Sequence, residues 1–421
     1  MMKKQVFEGF AEESYVKAVL DNGLEIYIME KPQYSSSFAI FGTKYGSVDT
    51  CFRIKGEESY TSVPEGIAHF LEHKLFESEE LDAFERFAKT GASANAFTSF
   101  DRTCYLFRCA DNFNENLEIL LDFVKAPYFT EETVQKEQGI IGQEIRMYQD
   151  DPDWQVLFNL LRGLYHNNPV RIDIAGTIDS IAEINAKLLY SCYNTFYNLS
   201  NMALAVAGNV KKDDVIAIAD RVLKKEEPVF FEQVIPDEPC EVKEKYIEEN
   251  LGVDMPKFAI GFKENHSSPI RTVKETVVAN LALDIIAGKV SPLYTDMLSE
   301  GIINSSFGKE YFIGRGFSAK MFMGESNEPE KVQKRIIGEI RRLQKDGISD
   351  EDFDVSLKRL YGAAVNAFND VDDLANNLID CYFNGYGLFD TLELYKKITK
   401  EDVTEAISNF DTENCCLSVI K

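Results

Sequence analysis

Two of the four histidines in this 421-residue chain sit four residues apart, in "EGIAHFLEHKLFES" (65–78). Glu72 directly precedes the second, so His69, Glu72 and His73 take helix positions i, i+3 and i+4. Those positions share one helix face. Two imidazoles one turn apart can hold one Zn²⁺ at about 2.0–2.1 Å each. A carboxylate beside them, not itself a ligand, can act as general base on a metal-polarised water and return the proton to a leaving amine. The order H-x-x-E-H inverts the H-E-x-x-H of other zinc hydrolases. The competing reading is a pair of histidines on a solvated helix face. Histidine is too scarce here for that placement around a glutamate to be a ready accident.

A catalytic zinc takes three protein ligands and keeps a fourth position open. The remaining histidines, His166 in "LYHNNP" and His266 in "KENHSSP", fall in loop-like segments. Better candidates lie on "TEETVQKEQGIIGQEIRMYQ", which reads as a helix over 131–149 with Thr130 as N-cap and acidic residues in its first turn. Glu137 and Glu144 are two helical turns apart and face the same way. One could ligate and the other support it. The residues alone leave that choice open, and a solvated acidic face is the alternative.

The elements that must position these groups follow from periodicity. "AVLDNGLEIYIMEK" reads as two strands around an Asn22-Gly23 turn, and "SSFAIFGTKYGSV" and "TCYLFRCA" as further strands. "FNENLEILLDFVKAP" has helical spacing, helices recur near 178–197 and 212–224, and "NMALAVAGNV" is a buried strand. Residues 225–246, proline-rich and charged, read as a linker. The second half runs from strand "KFAIGFK" through helices and strands near 304–323 to a last strand, "CCLSVIK". The ends of the halves align, with Asn201 on Asn414, Leu204 on Leu417 and Val206 on Val419, as an internal duplication would leave them. The expected fold is α+β, with two homologous domains at 1–224 and 247–421, each a mainly antiparallel sheet packed with helices.

"HFLEH" with "EQGIIGQE" downstream, Glu144 lying 71 residues after His73, resembles the M16 metallopeptidases, the pitrilysin/insulinase inverzincins. The resemblance implies that Glu144 is the third zinc ligand, that Glu137 supports the catalytic site, and that one Zn²⁺ binds per chain. "GASANAFTSFDRTCY" is similar to the family's edge strand beside the metal, which implies that the backbone at Asn95 and Ala96 pairs with an extended substrate. "YHNNP…AGTIDSI" and "FYNLSNMALAVAGNV" also match. The chain looks like the bacterial branch of two-domain subunits related to the mitochondrial processing peptidase beta subunit. It departs from the family in the second half. Active members carry an arginine and a tyrosine after a SxLxxxLR start; here "SPLYTDMLSEGIINSSF" puts Leu298 and Asn304 or Ser305 in those places. That departure implies a heterodimer with a paralogue supplying the Arg/Tyr pair, or a homodimer without it. The expected activity is a zinc-dependent endopeptidase on unfolded peptides in a clamshell chamber, with Glu72 as general base. The alternatives are a non-catalytic, chaperone-like peptide-binding subunit active only with a partner, and a zinc hydrolase of some other substrate.

Composition excludes other classes. The formal charge of −25 argues against nucleic-acid binding, which needs a basic face. No apolar run approaches the roughly 20 residues of a membrane span, and no export signal is legible at the start. A cytoplasmic protein with no membrane partner is expected. The eight cysteines show no CxxC pair, so reduced, buried thiols are expected.

Overall fold

The computed structural model describes residues 3–9, 12–79, 81–264 and 272–421; His266 lies outside the described residues. The chain divides into two compact units. The first comprises 1–145, 173–234 and 367–389, the second 146–172, 235–366 and 390–421.

The first unit carries strands β1 (Lys3–Glu8), β2 (Ser14–Val19), β3 (Glu25–Glu30), β4 (Ser37–Thr43), β5 (Cys51–Ile54), β6 (Thr61–Ser62), β7 (Ser93–Thr98), β8 (Thr103–Cys109), β9 (Met202–Gly208) and β10 (Phe231–Gln233). The second carries β11 (Tyr246–Glu249), β12 (Lys257–Lys263), β13 (Gly308–Gly314), β14 (Phe317–Glu325) and β15 (Cys415–Ile420). The helices around them include α1 (Ile67–Leu75), α2 (Ala83–Thr90), α3 (Glu131–Gln149), α4 (Pro152–Leu164), α5 (Val273–Ala287), α6 (Asp350–Asn366) and α7 (Val371–Asn384). Among the described residues no single helix is long and apolar enough to cross a membrane.

The first unit's main sheet has the order β1-β2-β3-β9-β4-β8-β7, antiparallel except for the parallel pair β3–β9. The second sheet has the order β11-β15-β12-β14-β13, antiparallel except for the parallel pair β11–β15. Strand for strand it repeats β3-β9-β4-β8-β7. The match extends to atoms. The Asn201 side chain donates to the Lys44 carbonyl at 3.4 Å, and the aligned Asn414 donates to the Lys263 carbonyl at 3.2 Å. The Lys44 and Lys263 N–H groups return the bond to the carbonyls of Asn201 and Asn414, at 3.2 and 3.1 Å. The α+β reading with two homologous domains therefore holds.

The boundaries do not follow the contiguous division at 225–246, and the reason is burial. Every residue of β4 and β9 is buried, as is every residue of β15. Strands so apolar need cover on both faces. Each sheet takes part of that cover from the other half of the sequence. In the first unit α7 packs on β9, β4 and β3; in the second α4 packs on β15 and β12. A glycine permits each approach. A Cβ on Gly42 would stand 2.7 Å from Cys104 Sγ and 2.9 Å from Phe383 of α7; one on Gly261 would stand 2.8 Å from Leu164 of α4. These glycines occupy equivalent positions, each two residues before the matched Lys44 or Lys263 and each paired with one of the matched residues Ala203 of β9 and Cys416 of β15.

The expected linker is also partly structured. β10 pairs with β5 in a small sheet of order β10-β5-β6, and Glu238 accepts the backbone N–H groups of His166, Asn167 and Asn168 at 2.7–2.8 Å. All eight cysteines are free thiols, but Cys240 is exposed and Cys51 half-buried, so the expectation of buried thiols fails at those two.

Candidate metal centre

The motif helix α1 is set by glycine geometry at its start. Gly66 caps it at φ +87°, a left-handed conformation that favours glycine. A side chain there would also collide with the Ala175 carbonyl. Ser180 Oγ donates to the Glu65 carbonyl at 2.9 Å, which ties this entry to the "AGTIDSI" segment. Ile67, Ala68, Phe70, Leu71 and Leu75 are buried and anchor the helix. His69, Glu72 and His73 share its remaining face.

Facing them is α3, a helix over Glu131–Gln149, with the Thr130 hydroxyl accepting the Thr133 N–H at 3.2 Å. Ligand atoms of His69, His73 and Glu144 all lie within 4.8 Å of one another. Glu144 Oε1 stands 3.7 Å from His69 Nε2, and Oε2 stands 3.4 Å from His73 Nε2. Glu137 takes a different place. Its Oε1 is 2.9 Å from His73 Nδ1, on the far side of the ring. An Nδ1–H donated there leaves the Nε2 lone pair turned toward Glu144. The geometry thus separates the two glutamates that the sequence left equivalent.

The donor set suits zinc: two imidazole nitrogens and a carboxylate oxygen converge, with a carboxylate behind one ring. His69 Nδ1 is buried with no hydrogen-bond partner among the described residues. Burial, then the neighbouring His73, pushes His69 down to about 3, so its ring is neutral and its nitrogen available. At His73 burial pulls the pKa down, but the Glu137 hydrogen bond and the surrounding carboxylates outweigh it and the net shift is upward.

Glu72 is 8% exposed and lies beside this cluster without joining it. Burial raises its carboxyl above the usual range, and the Thr98 hydroxyl pulls against that rise. Thr98 Oγ1 donates to Glu72 Oε2 at 2.6 Å. Sequence reasoning assigned Thr98 no part in the site. The signal was present in "SANAFT", whose alternation puts Ala94, Ala96 and Thr98 on one face of β7.

Asn95 and Ala96 lie on β7, the edge strand of the sheet. With Glu72, His73, Glu137, Phe76, Phe84 and Ile140 they line a cleft of about 530 Å³. The Ala96 N–H donates to the Asn95 side-chain oxygen at 2.9 Å. His166 is not among the converging groups; it lies in the second unit, its N–H bonded to Glu238. In that unit Leu298 is exposed, and Asn304 is engaged at both ends. Its Nδ2 donates to Glu325 at 2.7 Å and its Oδ1 accepts the Ser306 N–H at 2.8 Å.

A family model described as Insulinase (Peptidase family M16) matches residues 58–178, and one described as Peptidase M16 inactive domain matches 183–360. The uncharacterized zinc protease YmfH of Bacillus subtilis (strain 168) is 40% identical over 414 residues, 97% of this chain and 96% of that protein. A protein of Arabidopsis thaliana named as a mitochondrial-processing peptidase subunit beta is 26% identical over 226 residues, 51% of this chain and 41% of that protein. Among solved structures, an M16-like peptidase from Alicyclobacillus acidocaldarius superposes with a TM-score of 0.92 at 31% identity, over 100% of this chain and 98% of that one. Pitrilysin shares the fold, with a TM-score of 0.75 at 16% identity over 99% of this chain and 46% of that one. The chain belongs to peptidase family M16.

Proposed function

We propose that this chain is a zinc-dependent endopeptidase subunit acting on unfolded peptides. The observation that carries the reading is the convergence of His69, His73 and Glu144 within 4.8 Å, with Glu72 beside them and outside the ligand set. His69, His73 and Glu144 would hold the metal, and Glu137 would fix the His73 ring. Zinc, when bound, polarises a scissile carbonyl and makes water more acidic. Glu72 accepts a proton from the attacking water and returns it to the leaving amine. Its burial supports this role, because a raised carboxyl pKa suits proton transfer near neutral pH. The backbone of β7 at Asn95 and Ala96 takes an extended peptide by strand addition, once the Asn95 side chain releases the Ala96 N–H.

A second subunit completes the site. The Leu298 side chain has no hydrogen-bonding group, and the Asn304 side chain is engaged by Glu325, Met255 and Ser306. None of Leu298, Asn304 and Ser305 is the arginine or tyrosine that the resemblance implies for those places, and one missing oxyanion donor costs about 2.7–4 kcal/mol in the transition state. The preferred assembly is a heterodimer with a paralogue carrying the arginine and tyrosine. A chaperone-like subunit that only binds peptides is the second reading, favoured by the same residues.

The test is zinc content by elemental analysis, paired with cleavage of a quenched unstructured peptide with and without chelator. The assay is run on the chain alone and with its co-expressed paralogue. We expect about one zinc per chain and chelator-sensitive cleavage that rises when the paralogue is added. Absence of cleavage in both preparations, with zinc present, favours the binding subunit.

A further inference from the structure

We propose that Thr98 is the positioning residue for Glu72, fixing which carboxylate oxygen faces the chemistry. The assignment rests on the peptidase reading for its kinetic consequence, and on hydrogen-bond bookkeeping for its geometry. A threonine hydroxyl has one proton to donate. Thr98 Oγ1 has two neighbours, Glu72 Oε2 at 2.6 Å and Thr103 Oγ1 at 3.4 Å. Thr103 is fully buried and spends its own proton on the Tyr45 carbonyl, at 2.8 Å. Thr103 can therefore only accept from Thr98, and the much shorter contact to Glu72 takes the Thr98 proton. Oε2 is held as an acceptor, which leaves Oε1 as the oxygen that receives a proton from water.

The location adds a coupling. Thr98 ends β7, the strand whose backbone at Asn95 and Ala96 is proposed to take the peptide. One rigid strand, paired along its length to β8, thus sets both the substrate register and the orientation of the base. The roles separate by residue: backbone at 95 and 96 for binding, side chain at 98 for turnover.

The experiment compares Thr98→Val, which keeps shape and loses the hydroxyl, with Thr98→Ser, which keeps the hydroxyl. Both are made in the full chain, loaded with zinc and assayed with its paralogue. Thr98→Val should lower kcat about 10–100-fold, the usual effect of losing a supporting hydrogen bond at such a site. KM, zinc content and Tm should stay near wild type, and Thr98→Ser should recover most of the rate. Crystal structures of the zinc-loaded variants give a readout independent of turnover. The Glu72 carboxylate should leave its wild-type orientation in Thr98→Val and keep it in Thr98→Ser. Wild-type kcat in Thr98→Val, a serine variant as slow as the valine one, or an unmoved Glu72 in Thr98→Val overturns the proposal. A wild type that cleaves nothing, with Glu72 displaced only in Thr98→Val, sinks the peptidase reading and leaves the positioning assignment standing.

Discussion

The two halves fill the same place in their folds with opposite electrostatics. In the first unit, the helix after the central strand (α1), the edge strand β7 and the long helix α3 meet at His69, His73, Glu72, Glu137 and Glu144. In the second, α5, β13 and α6 take the corresponding positions in chain order and sheet order. They meet at Asp284, whose side chain is wholly buried. Arg359 of α6 donates from Nε to Asp284 at 2.9 Å, and Lys309 of β13 stands 3.2 Å away. By the strand pairing Lys309 occupies the position of Ala96. The first unit gathers lone pairs and carboxylates around a place for a cation. The second supplies its own cations, and guanidinium and ammonium groups have no lone pair to offer a metal. The same place in the two sheets thus holds a candidate metal centre in one half and a buried ion cluster in the other.

The largest effects should come from the first unit. Glu72→Gln should cut cleavage by about 10²–10⁴-fold while zinc stays bound, because it removes the base and no ligand. Glu144→Gln should lose the metal itself. Elemental analysis beside the peptide assay separates the two, and zinc loss in Glu72→Gln as complete as in His73→Ala would show that Glu72 is a ligand.

Next in size is the counterpart cluster. Asp284→Asn leaves Arg359 and Lys309 around a neutral group in a buried setting. Breaking such a cluster should cost about 3–5 kcal/mol. Zinc content should be unchanged, since Asp284 holds cations that are covalently part of the chain. Denaturant titration of zinc-loaded protein measures the first, elemental analysis the second. A variant of wild-type stability would mean that the second unit's cluster contributes little. Smaller again is Glu137→Gln, which should weaken zinc about 10–100-fold by loosening the His73 ring. Competition with a chromogenic chelator gives the number, and a loss equal to that of Glu144→Gln would erase the distinction the geometry draws.

Sequence carried much of this, unevenly. The helix over 131–149 was legible from its Thr130 cap, its acidic first turn and its apolar spacing. The H-x-x-E-H face followed from spacing alone. Choosing Glu144 over Glu137 needed the family resemblance and then the Nδ1–Nε2 geometry of His73, because two residues seven apart on a helix look the same from periodicity. The exchange of α4 and α7 was not legible. An amphipathic helix announces that it packs on something, not on which sheet. The glycines Gly42 and Gly261 were the available hint, since each is the small residue that a close-packed helix requires. Thr98 was missed because a threonine on an edge strand has many uses, and only the 2.6 Å contact to Glu72 selects one.

The smallest predicted effect tests the comparison at the strand pair where Thr98 and Thr103 face each other. Its counterpart in the second sheet is the pair Tyr311 and Lys320. There the Tyr311 hydroxyl donates to Glu264 at 2.9 Å, Ser318 Oγ donates at 2.7 Å, and Lys320 forms an ion pair with the same carboxylate. Burial raises the Glu264 carboxyl, but Lys320 and the hydroxyls more than reverse that and hold it at about 2, from an ordinary 4.5. A carboxyl lowered by folding contributes stability that is present above its unfolded pKa and is lost as pH falls through its folded one. The window here is therefore pH 4.5 down to about 2. Allowing for partial solvent access, the contribution at neutral pH is about 1–2 kcal/mol. Glu264→Gln should be less stable than wild type by that amount at pH 7, and the gap should close on acidification through this window. Urea denaturation at pH 7, 4 and 3 measures it. A gap that stays constant with pH would mean that Glu264 acts by shape, and that the second sheet uses this strand pair for packing where the first uses it to hold a charge.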